Sequence, residues 1–183
     1  QPARMLMAPD GFERALVERL DDWRLRPRLV HEGQADFLDG AAGPVVVGDF
    51  VKGSFEGQGR FQGADGATFE GHFKHWRPHG AGKLTDTDGT VFEGEFVQGQ
   101  LQGKAKVSTS DGIHYEGELK DWKFDGEGVL RTADGDEYRG GFKNGQFDGK
   151  GVLRYAVAQA DGRREDSGNW TEGQLDDPAL DKL

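Results

Sequence analysis

His72, His75 and His79 fall within one short stretch and are the nearest this sequence comes to a metal-binding set. Imidazoles hold zinc when three or four donors converge. Here the spacing supplies neither a helical i, i+4 pair nor the ligand spacing of a tetrahedral site, so solvated turn histidines are expected. Asp86-Thr87-Asp88-Gly89 opens like a calcium loop, but the later ligands and the closing Glu are missing, and a turn is the simpler reading. Gly80-Ala81-Gly82 and Gly126-Glu127-Gly128 would cradle phosphate only where such a piece opens a helix after a strand, and neither does. Cys is absent, which excludes a disulfide framework, a Cys zinc site and a Cys nucleophile. Gly-x-Ser-x-Gly and His-Glu-x-x-His do not occur. Carboxylates are abundant, but abundance without burial or a pocket says nothing about acid–base catalysis. No cofactor or metal is expected, and the chain reads as a binding protein rather than an enzyme.

The elements that position these residues repeat. Gly48, Gly71, Gly94, Gly117 and Gly140 are spaced by 23 residues. Two positions earlier stand Val46, Phe69, Phe92, Tyr115 and Tyr138, and two positions later Phe50, Phe73, Phe96, Leu119 and Phe142. A second glycine series follows at Gly57, Gly80, Gly103, Gly126 and Gly149, then an apolar series at Phe61, Leu84, Val107, Leu130 and Leu153. Aromatic-x-Gly-x-aromatic has period two, so it predicts a strand with both rings on one face. Gly-x-Gly-x-apolar predicts the returning strand. Asp65-Gly66, Asp88-Gly89, Asp111-Gly112 and Asp134-Gly135 predict type I′ turns between units. The glycine between the rings leaves bare backbone for a neighbouring ring to lie on.

The opposite face is polar, with Glu70, Glu93, Glu116, Glu95 and Glu118 against Lys83, Lys106, Arg131 and Arg154. Such pairs contribute roughly 0.2–1 kcal/mol each and serve register and solubility. Trp76 and Trp122 occupy the column that holds Gly53, Gly99 and Gly145 elsewhere. Either each covers its neighbour's turn, or the two are partner anchors on one rim. Ahead of the array, Asp10 is a candidate helix cap with Glu13 three residues on, and Phe12, Ala15, Leu16, Leu20 and Trp23 share a helical face before Pro27. This predicts a capping helix over 11–24 that covers the first sheet edge. Phe37-Leu38 and Asp39-Gly40 suggest a degenerate half-unit. Ser167-Gly168-Asn169-Trp170, with Gly173 and Leu175, restarts a partial sixth unit before an acidic tail.

Gly makes up 30 of 183 residues, but its periodicity and twelve Phe argue for packing rather than disorder. The net charge of −10 argues against nucleic acid as a partner and makes membrane binding an unexpected role. No apolar run approaches the ~18 residues of a membrane span. Gln1-Pro2-Ala3 is what signal-peptide removal would leave, which would place the chain in a periplasm or outside the cell. A trimmed chain would begin the same way.

Phe92-Glu93-Gly94-Glu95-Phe96, Tyr115-Glu116-Gly117-Glu118-Leu119 and Tyr138-Arg139-Gly140-Gly141-Phe142-Lys143-Asn144-Gly145, each completed by a segment such as Gly149-Lys150-Gly151-Val152-Leu153, resemble MORN (membrane occupation and recognition nexus) repeats. Val46 and Ala105 depart from the pattern. The resemblance implies an all-β fold, an elongated twisted antiparallel sheet of 23-residue hairpins with an aromatic-lined groove. It implies a protein partner or scaffold role, with phospholipid binding or an accessory segment of a larger enzyme as the alternatives. The expected organisation is 1–45 as helix and cap, 46–155 as five repeats, and 156–183 as partial repeat and tail. Phe69, Phe73, Trp76, Phe92, Phe96, Tyr115, Trp122, Tyr138 and Phe142 are the candidate partner-binding residues. The sheet edge at the C-terminal end is the candidate contact for a homodimer.

Overall fold

The computed structural model describes residues 34–35, 45–52, 54–63 and 66–176. The expected helix over 11–24, the half-unit at 37–40 and the tail from 177 lie outside them. The strands are β1 (Gln34–Ala35), β2 (Val45–Val51), β3 (Ser54–Gln62), β4 (Thr68–Lys74), β5 (Arg77–Thr85), β6 (Val91–Val97), β7 (Gln100–Ser108), β8 (His114–Lys120), β9 (Lys123–Arg131), β10 (Glu137–Lys143), β11 (Gln146–Arg154), β12 (Glu165–Thr171) and β13 (Gln174–Leu175). They form one open sheet in strict chain order, and every pairing is antiparallel. Each strand packs chiefly against its neighbours in sequence, as a linear array requires.

Two kinds of turn alternate. Within a hairpin, both central residues have positive φ, as in His75 (50°)–Trp76 (66°), Gln98 (50°)–Gly99 (87°) and Asn144 (50°)–Gly145 (83°). These are the type I′ turns. The Asp-Gly links between units are different, which corrects the expectation drawn from that dipeptide. Gly89 N–H donates to Asp86 O at 3.0 Å, and Asp86 N–H donates to Thr90 O at 2.8 Å. Only Gly89 (φ 85°) is left-handed in that link. This is a three-residue loop, a type I turn closed by a glycine bulge. The aspartate contributes through its side chain: Asp88 Oδ1 accepts the Thr90 N–H at 2.8 Å.

The second glycine series marks a bulge. Gly71 faces Gly82 but Phe73 faces Pro78, so residues 79–81 of β5 stand opposite His72 alone. The same shift recurs in β2/β3, β6/β7, β8/β9 and β10/β11. Gly57, Gly80, Gly103, Gly126 and Gly149 take φ of 71–100° there, a conformation costing other residues about 1–2 kcal/mol. Ladders between units run without a shift. The returning strand is therefore longer by two residues and carries the local bend.

Candidate functional site

The rings form the interior. Phe69, Phe73, Phe92, Phe96, Tyr115, Trp122, Tyr138 and Phe142 are all buried; Trp76 is half-buried. In a single-layer sheet this needs an explanation, and the glycines provide it. A Cβ on Gly151 would lie 2.1 Å from the Tyr138 hydroxyl, and one on Gly128 would lie 2.6 Å from the Tyr115 ring. Each tyrosine therefore lies flat on the returning strand where side chains are absent. Its other contact is a ring that the sequence columns above leave out. Tyr138 stacks on Phe147 at 3.6 Å and 6°, and Tyr115 on Phe124 at 3.8 Å and 17°. Phe55, Pro78, Leu101, Phe124 and Phe147 form a further column at the same period, and it is the floor of the core.

Units interlock edge to face. Phe69 meets Phe96 at 4.9 Å and 80°, Tyr115 meets Phe142 at 5.1 Å and 87°, and Tyr138 meets Trp170 at 5.5 Å and 88°. Such pairs add about 0.5–1.5 kcal/mol beyond area burial. In this series the partner of Phe92 should stand at 119, where the residue is Leu. Trp122 supplies the missing ring from the next turn, meeting Phe92 at 5.6 Å and 86° and Phe96 at 6.4 Å. It does so with φ of 61°, a left-handed backbone that bulky residues rarely adopt. With 5% exposure Trp122 is packed on the rings of the preceding unit. Trp76, also left-handed, lies against Phe55 at 6.1 Å, and its backbone N–H donates to Phe55 O at 3.2 Å.

The tyrosine hydroxyls stay inside as neutral donors. Tyr115 donates to Glu118 O at 2.7 Å and Tyr138 to Gly141 O at 3.1 Å, on the carbonyls facing the bulges. Burial, then the carboxylates of Glu118, Asp125 and Glu127, pushes the Tyr115 phenol far above its ordinary value. Burial, with Glu127 and Asp148, pushes Tyr138 up to about 12. The column ends in a polar residue. Asp166 takes the place of the ring before Gly168 and accepts a hydrogen bond from Tyr155 at 2.6 Å. Trp170 closes the packed rings against Phe147 at 5.5 Å.

The polar face carries the expected cross-strand pairs: Lys83–Glu93 at 3.5 Å, Arg131–Glu137 at 2.7 Å and Arg154–Glu165 at 3.5 Å. Their exposure limits each to about 0–1 kcal/mol. A shallow groove of about 670 Å³ crosses this face over Gly94, Gly117 and Gly128, between Glu116 and Lys104. A second, of about 710 Å³, lies at the rim beside Leu101, Gly103, Leu119 and Trp122. The three histidines do not converge. His72 and His75 are exposed, and His75 Nδ1 sits 2.9 Å from Glu56. Among the described residues, no three His, Asp or Glu side chains stand close enough to share a metal ion. Among the same residues no helix is long and apolar enough to cross a membrane.

No curated protein matches the chain. The MORN repeat family model matches residues 47–68, 69–91, 92–113, 115–137 and 138–157, consecutive segments that follow the hairpins and cover more than half of the sequence. MORN repeats are generally modules for interaction with proteins or membranes, and the family is typically non-catalytic. The glycine-floored ring stacks and the 23-residue hairpin period are thus the structural form of that match, and this chain belongs to the MORN repeat family.

Proposed function

We propose that the chain is a non-catalytic module that binds a protein partner along the rim of its hairpin turns. The observation that carries this is the division of labour among the nine candidate aromatics. Eight are buried in the spine, where they hold successive turns in line. Trp76 alone is half-buried, at the rim itself. The rings thus act on a partner by fixing the geometry of the rim rather than by lining an open groove. The edge at β12 is the other surface for association, including a homodimer. Among the described residues, Trp170 and Thr171 of β12 pair with β13 and Asn169 O accepts the Asp176 N–H, a short terminal ladder of the kind that can be extended by another strand.

The test compares partner capture by the native chain, a Trp76→Ala variant and a truncation after Tyr155, with folding followed by circular dichroism. The rim reading expects Trp76→Ala to keep the fold and lose most of the captured partner. Retention of the full complement by both folded variants would contradict it and leave the ring face to be probed at Phe73, Phe96 and Phe142.

A further inference from the structure

Trp122 stands at a break in the spine. Elsewhere the link from one unit to the next is a ring inside a strand. Phe96 of β6 meets Phe69, Phe142 of β10 meets Tyr115 and Phe124, and Trp170 of β12 meets Tyr138 and Phe147. Between units three and four that strand position is Leu119. There the bridge, to Phe92 at 5.6 Å and to Phe96 at 6.4 Å, is made by Trp122 from the turn between β8 and β9.

The two sides of this seam are built differently. On the C-terminal side Tyr115 and Tyr138 stack on Phe124 and Phe147, and their hydroxyls are held by Glu118 O and Gly141 O. On the N-terminal side the equivalent rings are Phe69 and Phe92, which carry no hydroxyl, and the floor beneath them is Pro78 and Leu101. Ala105 replaces the glycine on which Phe92 would lie. Both grooves described above open beside the seam: β7 gives Lys104 and Ala105 to one, and Leu101 and Gly103 to the other. The backbone ladder from β7 to β8 continues without a shift. The weakness therefore lies in the ring layer and not in the sheet hydrogen bonds.

A link carried on a turn also differs in kind from one carried in a strand. A ring inside a strand leaves only if its ladder breaks. Trp122 sits outside the ladder with φ of 61°, a backbone that is strained for a bulky side chain. Swinging out relieves that strain and releases the contacts to Phe92 and Phe96 together.

We propose that Trp122 is a latch between two cooperative blocks, β2–β7 and β8–β13, and that the first block opens while the second stays folded. In a linear array each unit is stabilised by its neighbours, so the interface with the weakest coupling is where the array divides. The latch is a property of the fold and does not depend on which surface meets a partner.

Native-state hydrogen exchange of the full chain, read by mass spectrometry at low denaturant, tests it. Ladder amides of β4–β6 should be protected at least about tenfold less than those of β9–β11. Two single variants then dissociate the blocks. Trp122→Leu should lower protection of β4–β6 by a further factor of about ten and change β9–β11 by less than about twofold. Phe142→Leu, which removes a ring link inside the second block, should do the reverse. Variants that lower protection in both blocks alike would show one cooperative unit and overturn the proposal. So would a Trp122→Leu chain in which β4–β6 exchange as in the native protein. Should Trp122→Leu fail to fold, the native chain still decides: one shared level of protection from β4 to β11 contradicts the latch.

Discussion

Gly151→Ala is expected to destabilise the array by roughly 3 kcal/mol or more, at the upper end of overpacking effects. Backbone entropy alone predicts the opposite sign, since Gly inside a strand costs about 0.5–1 kcal/mol relative to Ala. The added methyl would sit 2.1 Å from the Tyr138 hydroxyl and 2.4 Å from its Cζ. The ring has nowhere to go. Phe147 stacks on it at 3.6 Å, and its hydroxyl is held by Gly141 O. Tyr138 must either leave the core, forfeiting about 1.5–3 kcal/mol of burial, or force the strands apart. Gly128→Ala should behave alike beneath Tyr115. Unit three supplies the contrast, because Ala105 already stands at the equivalent place. Phe92 meets Trp122 instead of lying there, so Ala105→Gly should cost only about 1 kcal/mol. Denaturant melts of the three variants check the order. A Gly151→Ala protein as stable as the native one would show that the ring does not rest on that backbone.

Trp122→Gly is the second large effect, and here too the sign is informative. Glycine fills this turn position at Gly99, Gly145 and Gly173, and Trp122 sits there with φ of 61°. Relief of that backbone alone predicts a gain of about 1–2 kcal/mol. Against it stands a buried indole that bridges Phe92 and Phe96 where Leu119 leaves the ring series broken. Deleting a buried aromatic costs about 3–5 kcal/mol, so a net loss of roughly 2–3 kcal/mol is expected. At Trp76, only half-buried, the gain and the loss should nearly cancel. Thermal melts in which Trp122→Gly is neutral or stabilising would mean that the indole contributes little packing.

These effects mark where the sequence was legible. The 23-residue period, the two ring columns and the division into a ring face and a polar face follow from spacing alone, because each is repeated in register. The floor column was hidden by its own variation: Pro78 and Leu101 break the aromatic theme of Phe55, Phe124 and Phe147. The bulge was hidden because a period counts residues, not which of them face one another. Asp-Gly fits both a two-residue and a three-residue loop, and only the hydrogen-bond partners of Gly89 and Asp86 decide between them. The burial of Trp122 depends on the absence of a ring at Leu119, a relation between units that no single column displays.

The repeat rings are an interior spine, and the proposed function places contact with a partner on the rim. Hydroxyl-radical footprinting read by mass spectrometry, with the unfolded chain as reference, distinguishes this arrangement from an open ring-lined groove. Strong protection of Phe69, Phe96, Tyr115, Trp122 and Tyr138 is expected in the free protein, with Trp76 and Tyr155 modified more readily. Addition of a bound partner should then protect Trp76 and leave the buried rings as they were. Ready modification of Phe96, Tyr115 and Tyr138 in the free chain, suppressed when the partner binds, would contradict it and show the ring face to be the open contact surface.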